Sequence, residues 1–277
     1  MTNIDSQPRD VGTHIREWRQ RRRMTQLDLA LEAEISARHL SFVETGKAQP
    51  SRDMVLNLCD RLDVPLRERN AVLLAAGFAP VFPQRPLNDP AVKHAREAID
   101  LILKGHEPFP ALAIDRHWTM VSANRALAPL LEGVAPHLIE PPVNVLRLSL
   151  HPEGLAPRIA NLPEWRAHIF ERLRHQIGVT GDEKLAALLE ELKAYPAGIS
   201  RTKPAPDRYG GFVVPLQLRT PVGLLSFFST TTVLGTPVDV TLSELAIESF
   251  FPADDATAEA MRAAAGTAVT ASATSAP

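Results

Sequence analysis

Residues 25–47 read TQLDLALEAEISARHLSFVETGK, and this stretch decides the fold of the N-terminal part of the chain. Thr25 and Ser36 each stand where a helix N-cap belongs, and Gly46 stands where the second helix would end. Two helices joined by so short a turn must pack closely, so the first needs a small residue facing the second. Ala30 supplies it. The spacing therefore predicts two short, packed helices.

The second predicted helix has one apolar face and one face that is left free. Ile35, Leu40 and Val43 hold it against the first helix. Once these three are buried, the residues that face outward are Ala37, Arg38, Ser41 and Phe42. A helix this short, with polar and aromatic residues facing outward, fits the major groove of DNA. The alternative for Phe42 is a place in the core, because an exposed Phe needs a reason.

Apolar periodicity extends the two helices into an all-α unit over residues 11–78. Further helices are expected at about 13–22, 51–62 and 66–76, which makes five in all. Residues 1–10 are polar and are expected to be flexible.

Charge is concentrated at the start of the chain. Residues 1–23 contain six Arg and three acidic residues, a local balance of 6 − 3 = +3, although the whole chain has a net charge of −2. Such a basic edge fits contacts with DNA phosphates, or it is simply solvated surface. Charge alone leaves both interpretations open.

The stretch 25–47 resembles the helix-turn-helix of the lambda-repressor/Cro (Xre) family. The resemblance implies a five-helix fold and a homodimer on a double-stranded DNA operator, with half-sites about one helical turn, ~34 Å, apart. It also implies that Arg19 and Glu44 form a structural ion pair. Glu34 stands where members of this family often have Gly, and a positive φ at Glu34 would carry some strain.

The resemblance also assigns roles to the individual residues of the motif. Contacts with the DNA backbone are expected from Gln26, Ser36, His39 and Lys47. Ala37, Arg38 and Phe42 are expected to face base edges, with Arg38 bidentate on a guanine and Phe42 against a thymine methyl group. For His39 the alternative is a solvated helix residue without a DNA contact.

Residues 79–88 form a Pro-rich linker, and beyond it the sequence pattern changes. Apolar runs predict strands at 111–115, 119–123, 211–219 and 222–232, and amphipathic stretches predict helices at 89–104, 162–177 and 182–195. The apolar run at 143–150 is compatible with either a strand or a helix. Residues 89–252 are therefore expected to form an α+β domain, and the Ala/Thr-rich residues 253–277 are expected to be disordered.

Residues 89–252 resemble the MmyB-like ligand-binding domain of bacterial regulators. The matching segments include GHEPFPAL at 105–112, NVLRLSLHP at 144–152 and LSFFSTTT at 225–232. The resemblance implies a PAS-like fold, with an antiparallel sheet and helices over its concave face. It also implies a small amphipathic ligand that is similar to a fatty acid.

Residues of this domain suit the two ends of such a ligand. Asn144, Arg147 and His151 stand at i, i+3 and i+7, and on one helix face they would bind a carboxylate head group. Contacts with the apolar tail are expected from Trp118, Trp165, Ile169, Phe227 and Phe228. The alternative is that Arg147 pairs with a nearby Glu and that the aromatic residues fill an ordinary core.

Enzyme function is not predicted. The sequence has no His-Glu-x-x-His motif, no phosphate-binding Gly loop and no nucleophile elbow. Its single cysteine, Cys59, excludes an intramolecular disulfide and a Cys-rich metal site. His168 and His175 share a helix face, but no third ligand accompanies them. We therefore predict no catalytic residues, no cofactor and no metal site.

The composition, with 45% hydrophobic and 22% charged residues, is that of a globular protein, and 277 residues favour two domains. The sequence has neither the layout of a signal peptide nor an apolar run of ~20 residues, so a cytoplasmic protein without a membrane partner is expected. The sequence analysis thus predicts a ligand-responsive DNA-binding regulator. The alternative is a regulator whose C-terminal domain only dimerises or binds a protein partner.

Overall fold

A computed structural model describes residues 10–197, 213–234 and 239–274, with only the backbone described for 267–274. The chain divides into two compact units. The first contains residues 1–86 and 236–243, and the second contains residues 87–235 and 244–277. The flexible N-terminus expected at 1–10 lies outside the described residues, except for Asp10.

Over residues 10–86, which the structure describes, the N-terminal unit contains five helices, as the sequence predicts. They are α1 (Val11–Arg21), α2 (Gln26–Glu32), α3 (Ala37–Glu44), α4 (Arg52–Arg61) and α5 (Leu66–Ala75). The side chains of Asp10, Thr25, Ser36 and Ser51 cap the first four helices by accepting a hydrogen bond from a backbone N–H of the first turn. Thr25 and Asp28 form a complete capping box.

One apolar cluster holds these helices together. Its fully buried members include Ile15, Leu29, Leu40, Leu58 and Leu73, so every helix contributes at least one. Cys59 belongs to this cluster as well, and burial raises the pKa of its thiol to about 12, so it acts as a small apolar residue.

Helices α1 and α3 approach each other at a glycine. A Cβ atom at Gly12 would lie 2.3 Å from the carbonyl oxygen of Val43. Any other residue at this position would push the two helices apart. In the turn between α2 and α3, Glu34 has a φ of 56°, which costs about 1–2 kcal/mol for a residue other than glycine.

The C-terminal unit combines helices with one sheet. Its helices are α6 (Lys93–Gly105), α7 (Pro136–Ile139), α8 (Val145–Leu150), α9 (Leu162–Thr180), α10 (Glu183–Ala194) and α12 (Asp255–Thr274). The strands are β1 (Ala111–Ile114), β2 (Met120–Ala123), β3 (Leu216–Thr220), β4 (Gly223–Val233) and β5 (Ala246–Pro252). The intervening helix α11 (Val240–Ser243) belongs to the N-terminal unit.

The five strands found in the described residues form one antiparallel sheet in the order β2-β1-β5-β4-β3. The β3–β4 hairpin confirms the predicted pair of strands, with Thr220 opposite Gly223 across the turn. Residues 211 and 212, the start of the predicted strand 211–219, lie outside the described residues. The sheet and its helices confirm the expected PAS-like α+β fold.

Two features of this unit differ from the sequence analysis. The central strand β5 was not predicted, because its apolar run is short and is interrupted by Glu248. The tail predicted to be disordered from residue 253 continues as helix α12 from Asp255. Its many Ala residues favour a helix, and Ala258 and Met261 are buried, the latter in a cluster with Phe227 of β4.

The connection between β4 and β5 contributes to the N-terminal unit. Helix α11 packs against α5, and the N–H of Val240, which is fully buried, donates to the carbonyl oxygen of Pro83 over 2.8 Å. Asp239 is 2% exposed and pairs with Arg85 at 3.4 Å. No helix within the described residues has the length and apolarity that crossing a membrane requires.

Candidate DNA interface and ligand cavity

The outer face of α3 and the residues next to its two ends carry all the predicted DNA contacts except Gln26, which lies on α2. Ser36, Arg38 and Lys47 are exposed, and Ala37, His39, Ser41 and Phe42 are half-buried. Leu40 and Val43 lie on the opposite side and are fully buried. The N-cap bond from His39 N–H to Ser36 Oγ, 3.1 Å, fixes the beginning of this helix.

Phe42 lies between two positive charges on this face. The guanidinium carbon of Arg38 is 5.4 Å from the ring centroid, and Nζ of Lys47 is 6.0 Å from it. Within the part of the chain that the structure describes, neither cation has an ion pair. Both cations are therefore available to an anionic partner, beside an aromatic ring that can contact an apolar methyl group.

A buried carboxylate anchors α3 from behind. Nε and Nη2 of Arg19 donate to Oε1 and Oε2 of Glu44 over 2.6 and 2.8 Å, which is the ion pair implied by the lambda-repressor resemblance. Burial acts to raise the pKa of Glu44, but hydrogen bonds from Arg19 and Gln26 and the nearby cations outweigh it, so the pKa is lowered. Glu44 is therefore ionised at neutral pH and joins α3 to α1 and α2.

Gln26, predicted to contact phosphate, takes part in this anchor. Its Nε2 donates to Oε2 of Glu44 over 2.8 Å. An amide nitrogen carries two N–H groups, so the second is left for another acceptor. Gln26 thus helps to position α3, and its predicted contact with a DNA phosphate stays a prediction.

The C-terminal unit encloses an apolar cavity of about 90 Å³ between the sheet and helices α8 and α9. Trp118, Trp165, Ile169 and Phe227 line it, so the fold brings together four of the five residues predicted to contact a tail. Phe228 points elsewhere, with its ring stacked on Phe251 at 5.3 Å.

The wall of this cavity carries an ion pair between a half-buried arginine and a buried glutamate. Nη2 of Arg172 donates to Oε1 of Glu248 over 2.6 Å and to Oγ1 of Thr231 over 2.9 Å. The guanidinium also lies 4.7 Å from the ring centroid of Trp118. The side chain of Glu248 is 5% exposed. A charged pair of this kind in an apolar wall is the polar end of the cavity.

Ser149 also lines the cavity, and His168 contacts a residue of its lining. Ser149 accepts a hydrogen bond from Nε1 of Trp165 over 2.9 Å. The ring of His168 lies 5.5 Å from that of Trp165. Burial lowers the pKa of His168, and the charge of Arg172 lowers it further, so His168 is neutral at neutral pH.

Arg172 and Glu248 were not among the residues predicted from the sequence. Arg172 stands three residues after Ile169 and seven after Trp165, on the same face of α9, so the helical period offered a signal for it. Glu248 offered none, because the strand that carries it was not predicted. Nothing in the spacing of residues along the chain predicts that Arg172 and Glu248 form an ion pair.

The expected head-group cluster does not lie at the cavity, which corrects that prediction. Nε and Nη2 of Arg147 donate to the two carboxylate oxygens of Glu191 over 2.7 Å each, as the alternative interpretation holds. Asn144 caps α8, and His151 packs its ring against Tyr195. The helix turns residues 145, 146, 148 and 149 toward the cavity, and this orientation turns Arg147 outward.

Comparisons with known proteins agree with this division of the chain. Residues 10–72 match the family model of a helix-turn-helix domain, and residues 95–264 match that of the MmyB-like transcription regulator ligand binding domain. Among curated proteins, none matches the sequence.

One solved structure, that of an RNA-binding Light-Oxygen-Voltage receptor, is similar at 13% identity and a TM-score of 0.23. The similarity covers 91% of this chain, which spans only 64% of the receptor chain. The MmyB-like model covers 264 − 95 + 1 = 170 of 277 residues, more than half of the chain. The chain therefore belongs to the MmyB-like transcription regulators and carries their ligand-binding domain behind a helix-turn-helix domain.

Proposed function

We propose that this regulator binds a palindromic operator as a homodimer. A small amphipathic acid that binds in the C-terminal cavity would change its affinity for the operator. The observation that carries the proposal is the cavity itself, which is apolar except for the pair of half-buried Arg172 with buried Glu248 and a serine in its wall. Ligand pockets combine an apolar lining with a few polar groups in this way.

The operator would be read by the outer face of α3. Arg38 would bind the O6 and N7 atoms of a guanine, and Phe42 would contact a thymine methyl group. Phosphate contacts would come from Gln26, Ser36, His39 and Lys47, whose backbone and side-chain donors surround the recognition helix. Two copies of α3, about one turn of DNA apart, would bind the two half-sites.

The ligand would place its carboxylate at Arg172 and its apolar tail along Trp118, Trp165 and Phe227. A carboxylate matches the fork of a guanidinium group, and it would take the place that Glu248 now occupies. Since ligand pockets usually measure roughly 300–1,000 Å³, a cavity of about 90 Å³ must widen to admit a fatty-acid-like tail. Binding would therefore move the side chains or segments that form its walls.

The β4–β5 connection would carry this movement to the DNA-binding unit. Phe227 of β4 and Glu248 of β5 both line the cavity, and the connection between these strands supplies α11 to the N-terminal unit. A coupling of about 1–3 kcal/mol, or 5–150-fold in operator affinity, is typical of such regulation.

Fluorescence titration with a medium-chain saturated carboxylate, and with the alcohol of the same chain length, tests the ligand. We expect the carboxylate to bind and the alcohol to bind at least tenfold more weakly, because a hydrogen bond to a charged group contributes about 1.5–3 kcal/mol. The double variant R172Q/E248Q, which leaves no unpaired charge in the wall, should bind both equally. Equal binding of acid and alcohol by the wild type would reject a carboxylate site at Arg172.

Native mass spectrometry of the purified chain addresses the alternative, a domain that only dimerises. A co-purified lipid supports the sensing function. An intact dimer that neither contains nor takes up a carboxylate would overturn it. The operator affinity, measured by gel shift with and without the carboxylate, then reports the coupling.

A further inference from the structure

Three side chains that can bind a metal ion meet in the C-terminal unit, outside the cavity. They are His137, His151 and Glu153, and one ligand atom of each lies within 4.8 Å of the other two. Over the described ranges, this is the one group of three His, Cys, Asp or Glu residues with such spacing. His137 lies on α7, and the other two lie in the turn that follows α8.

The backbone that carries these residues is held in place by its own contacts. The N–H of Ala135 donates to the carbonyl oxygen of Glu153 over 3.0 Å, which joins the two segments. The N–H of Gly154 donates to the carbonyl oxygen of His151 over 2.9 Å. A Cβ at Gly154 would lie 2.3 Å from the carbonyl oxygen of Leu148, so this turn requires glycine.

The three ligand atoms are close enough for side-chain rotation to bring them onto one ion. Tetrahedral zinc with bonds of about 2.05 Å places its ligand atoms about 3.4 Å apart. His137 and Glu153 are exposed and His151 is half-buried, so their rings and carboxylate have room to turn. The rings of His137 and His151 already meet edge to face, with centroids 5.6 Å apart.

One hydrogen bond must be exchanged on binding. The N–H of Glu153 donates to Nδ1 of His151 over 3.1 Å. An ion bound at Nδ1 would displace the N–H of Glu153. An ion bound at Nε2 would require the imidazole ring of His151 to rotate, which breaks the same hydrogen bond. Either exchange costs one hydrogen bond at a partly exposed position, where water can satisfy the released N–H.

We propose that His137, His151 and Glu153 bind a divalent transition-metal ion of the zinc class. Two imidazole nitrogens and one carboxylate oxygen suit Zn²⁺, Ni²⁺ or Cu²⁺, whereas Mg²⁺ and Ca²⁺ prefer oxygen ligands throughout. Three protein ligands leave the fourth position of a tetrahedral ion to water.

The bound ion would cross-link helix α7 to the turn that follows helix α8. Helix α7 follows a segment in which Leu127, Leu130 and Leu131 line the cavity. Nη1 and Nη2 of Arg158 already hold the same segment, by donating to the carbonyl oxygens of Glu132 and Leu130 over 2.6 and 2.8 Å. The site stands on its own geometry and does not depend on which ligand the cavity takes.

Isothermal titration of the tag-free full chain with ZnCl₂ tests the site. We expect one ion per chain for the wild type and for the control H175A, which removes an exposed histidine of α9 outside the group. H137A and E153Q, both at exposed positions, should each lower the affinity at least tenfold. Zn²⁺ should also raise the melting temperature of the wild type and of H175A, but not of H137A.

Three results would overturn the proposal. The first is a wild-type chain that binds no Zn²⁺ in the titration. The second is a double variant, H137A/E153Q, that binds Zn²⁺ as tightly as the wild type does. The third is an equal rise in melting temperature with MgCl₂, since an all-oxygen preference would exclude the two imidazoles as ligands.

Discussion

Helices α3 and α8 begin in the same way and have different uses. A side chain caps each of them, that of Ser36 for α3 and that of Asn144 for α8. Each has an arginine in its first turn, Arg38 and Arg147, and each has apolar residues that face a core. By sequence alone, both arginines are equally good candidates for binding an anion.

The surroundings of the two arginines differ. Arg38 is exposed, and the ring of Phe42 lies beside it. Arg147 lies opposite α10, where both oxygens of Glu191 bind it and the hydroxyl of Tyr195 donates to the same carboxylate over 2.6 Å. Arg38 is therefore available to a partner as it stands, whereas Arg147 would first have to give up Glu191, and this difference depends on the packing of helices.

The largest effect is expected from removing the carboxylate that anchors α3. In E44A, Arg19, whose side chain is 12% exposed, loses its partner. Breaking a buried pair in this way costs roughly 3 kcal/mol of stability or more. Urea denaturation followed by circular dichroism measures the loss in the helical unit. The matched control is E191A, which removes the acid of the partly exposed pair with Arg147 and should lower the stability far less. Equal losses of stability in E44A and E191A would contradict the assignment of Glu44 as a buried anchor of α3.

Acid should remove the contribution of Glu44. Its pKa is lowered in the folded chain from an ordinary value of 4.5, so the stabilisation is complete above about pH 4.5 and is lost as the pH falls through the lowered pKa. The stability difference between the wild type and E44Q should therefore narrow below about pH 4.5. Urea titrations at several pH values measure this difference in the free energy of unfolding. If the difference grew as the pH fell, the assigned role of Glu44 would be contradicted.

The next effect concerns Arg38, the arginine without an ion pair. R38A should weaken operator binding by about 1–3 kcal/mol and relax the preference at one base position. Binding titrations across operator variants measure both. K47A serves for comparison. Loss of a phosphate contact should weaken binding to all operator sequences alike, and it should reduce the slope of log affinity against log salt concentration by about one. A uniform loss in R38A would make Arg38 a phosphate contact instead.

The smallest effect is expected at Arg147. Its pair with Glu191 is partly exposed, so R147A should cost about 1 kcal/mol of stability or less. Carboxylate affinity should stay unchanged in R147A and fall in R172Q/E248Q. If R147A lowered carboxylate affinity as strongly as the double variant, the head-group site would lie on α8 after all.

Local patterns predicted the helical unit well. The caps Thr25 and Ser36, the small Ala30 and the buried Leu40 and Val43 lie within one short stretch, and each acts on neighbours along the chain. In the C-terminal unit the same reasoning found four residues of the cavity lining, because aromatic and apolar side chains are usually buried. It failed for β5, whose burial depends on the strands on both of its sides.

Local sequence patterns were sufficient to predict two domains, a short helix with Arg38 facing outward, and apolar residues that line the cavity. Periodicity and capping carry this information, because they involve residues a few positions apart. The pairing of charges became visible in the folded chain alone: Arg147 binds Glu191, 44 positions away, and Arg172 binds Glu248, 76 positions away. An ion pair acts over a few ångströms of space, so only the packing of distant segments shows which arginine is occupied and which one lines the cavity.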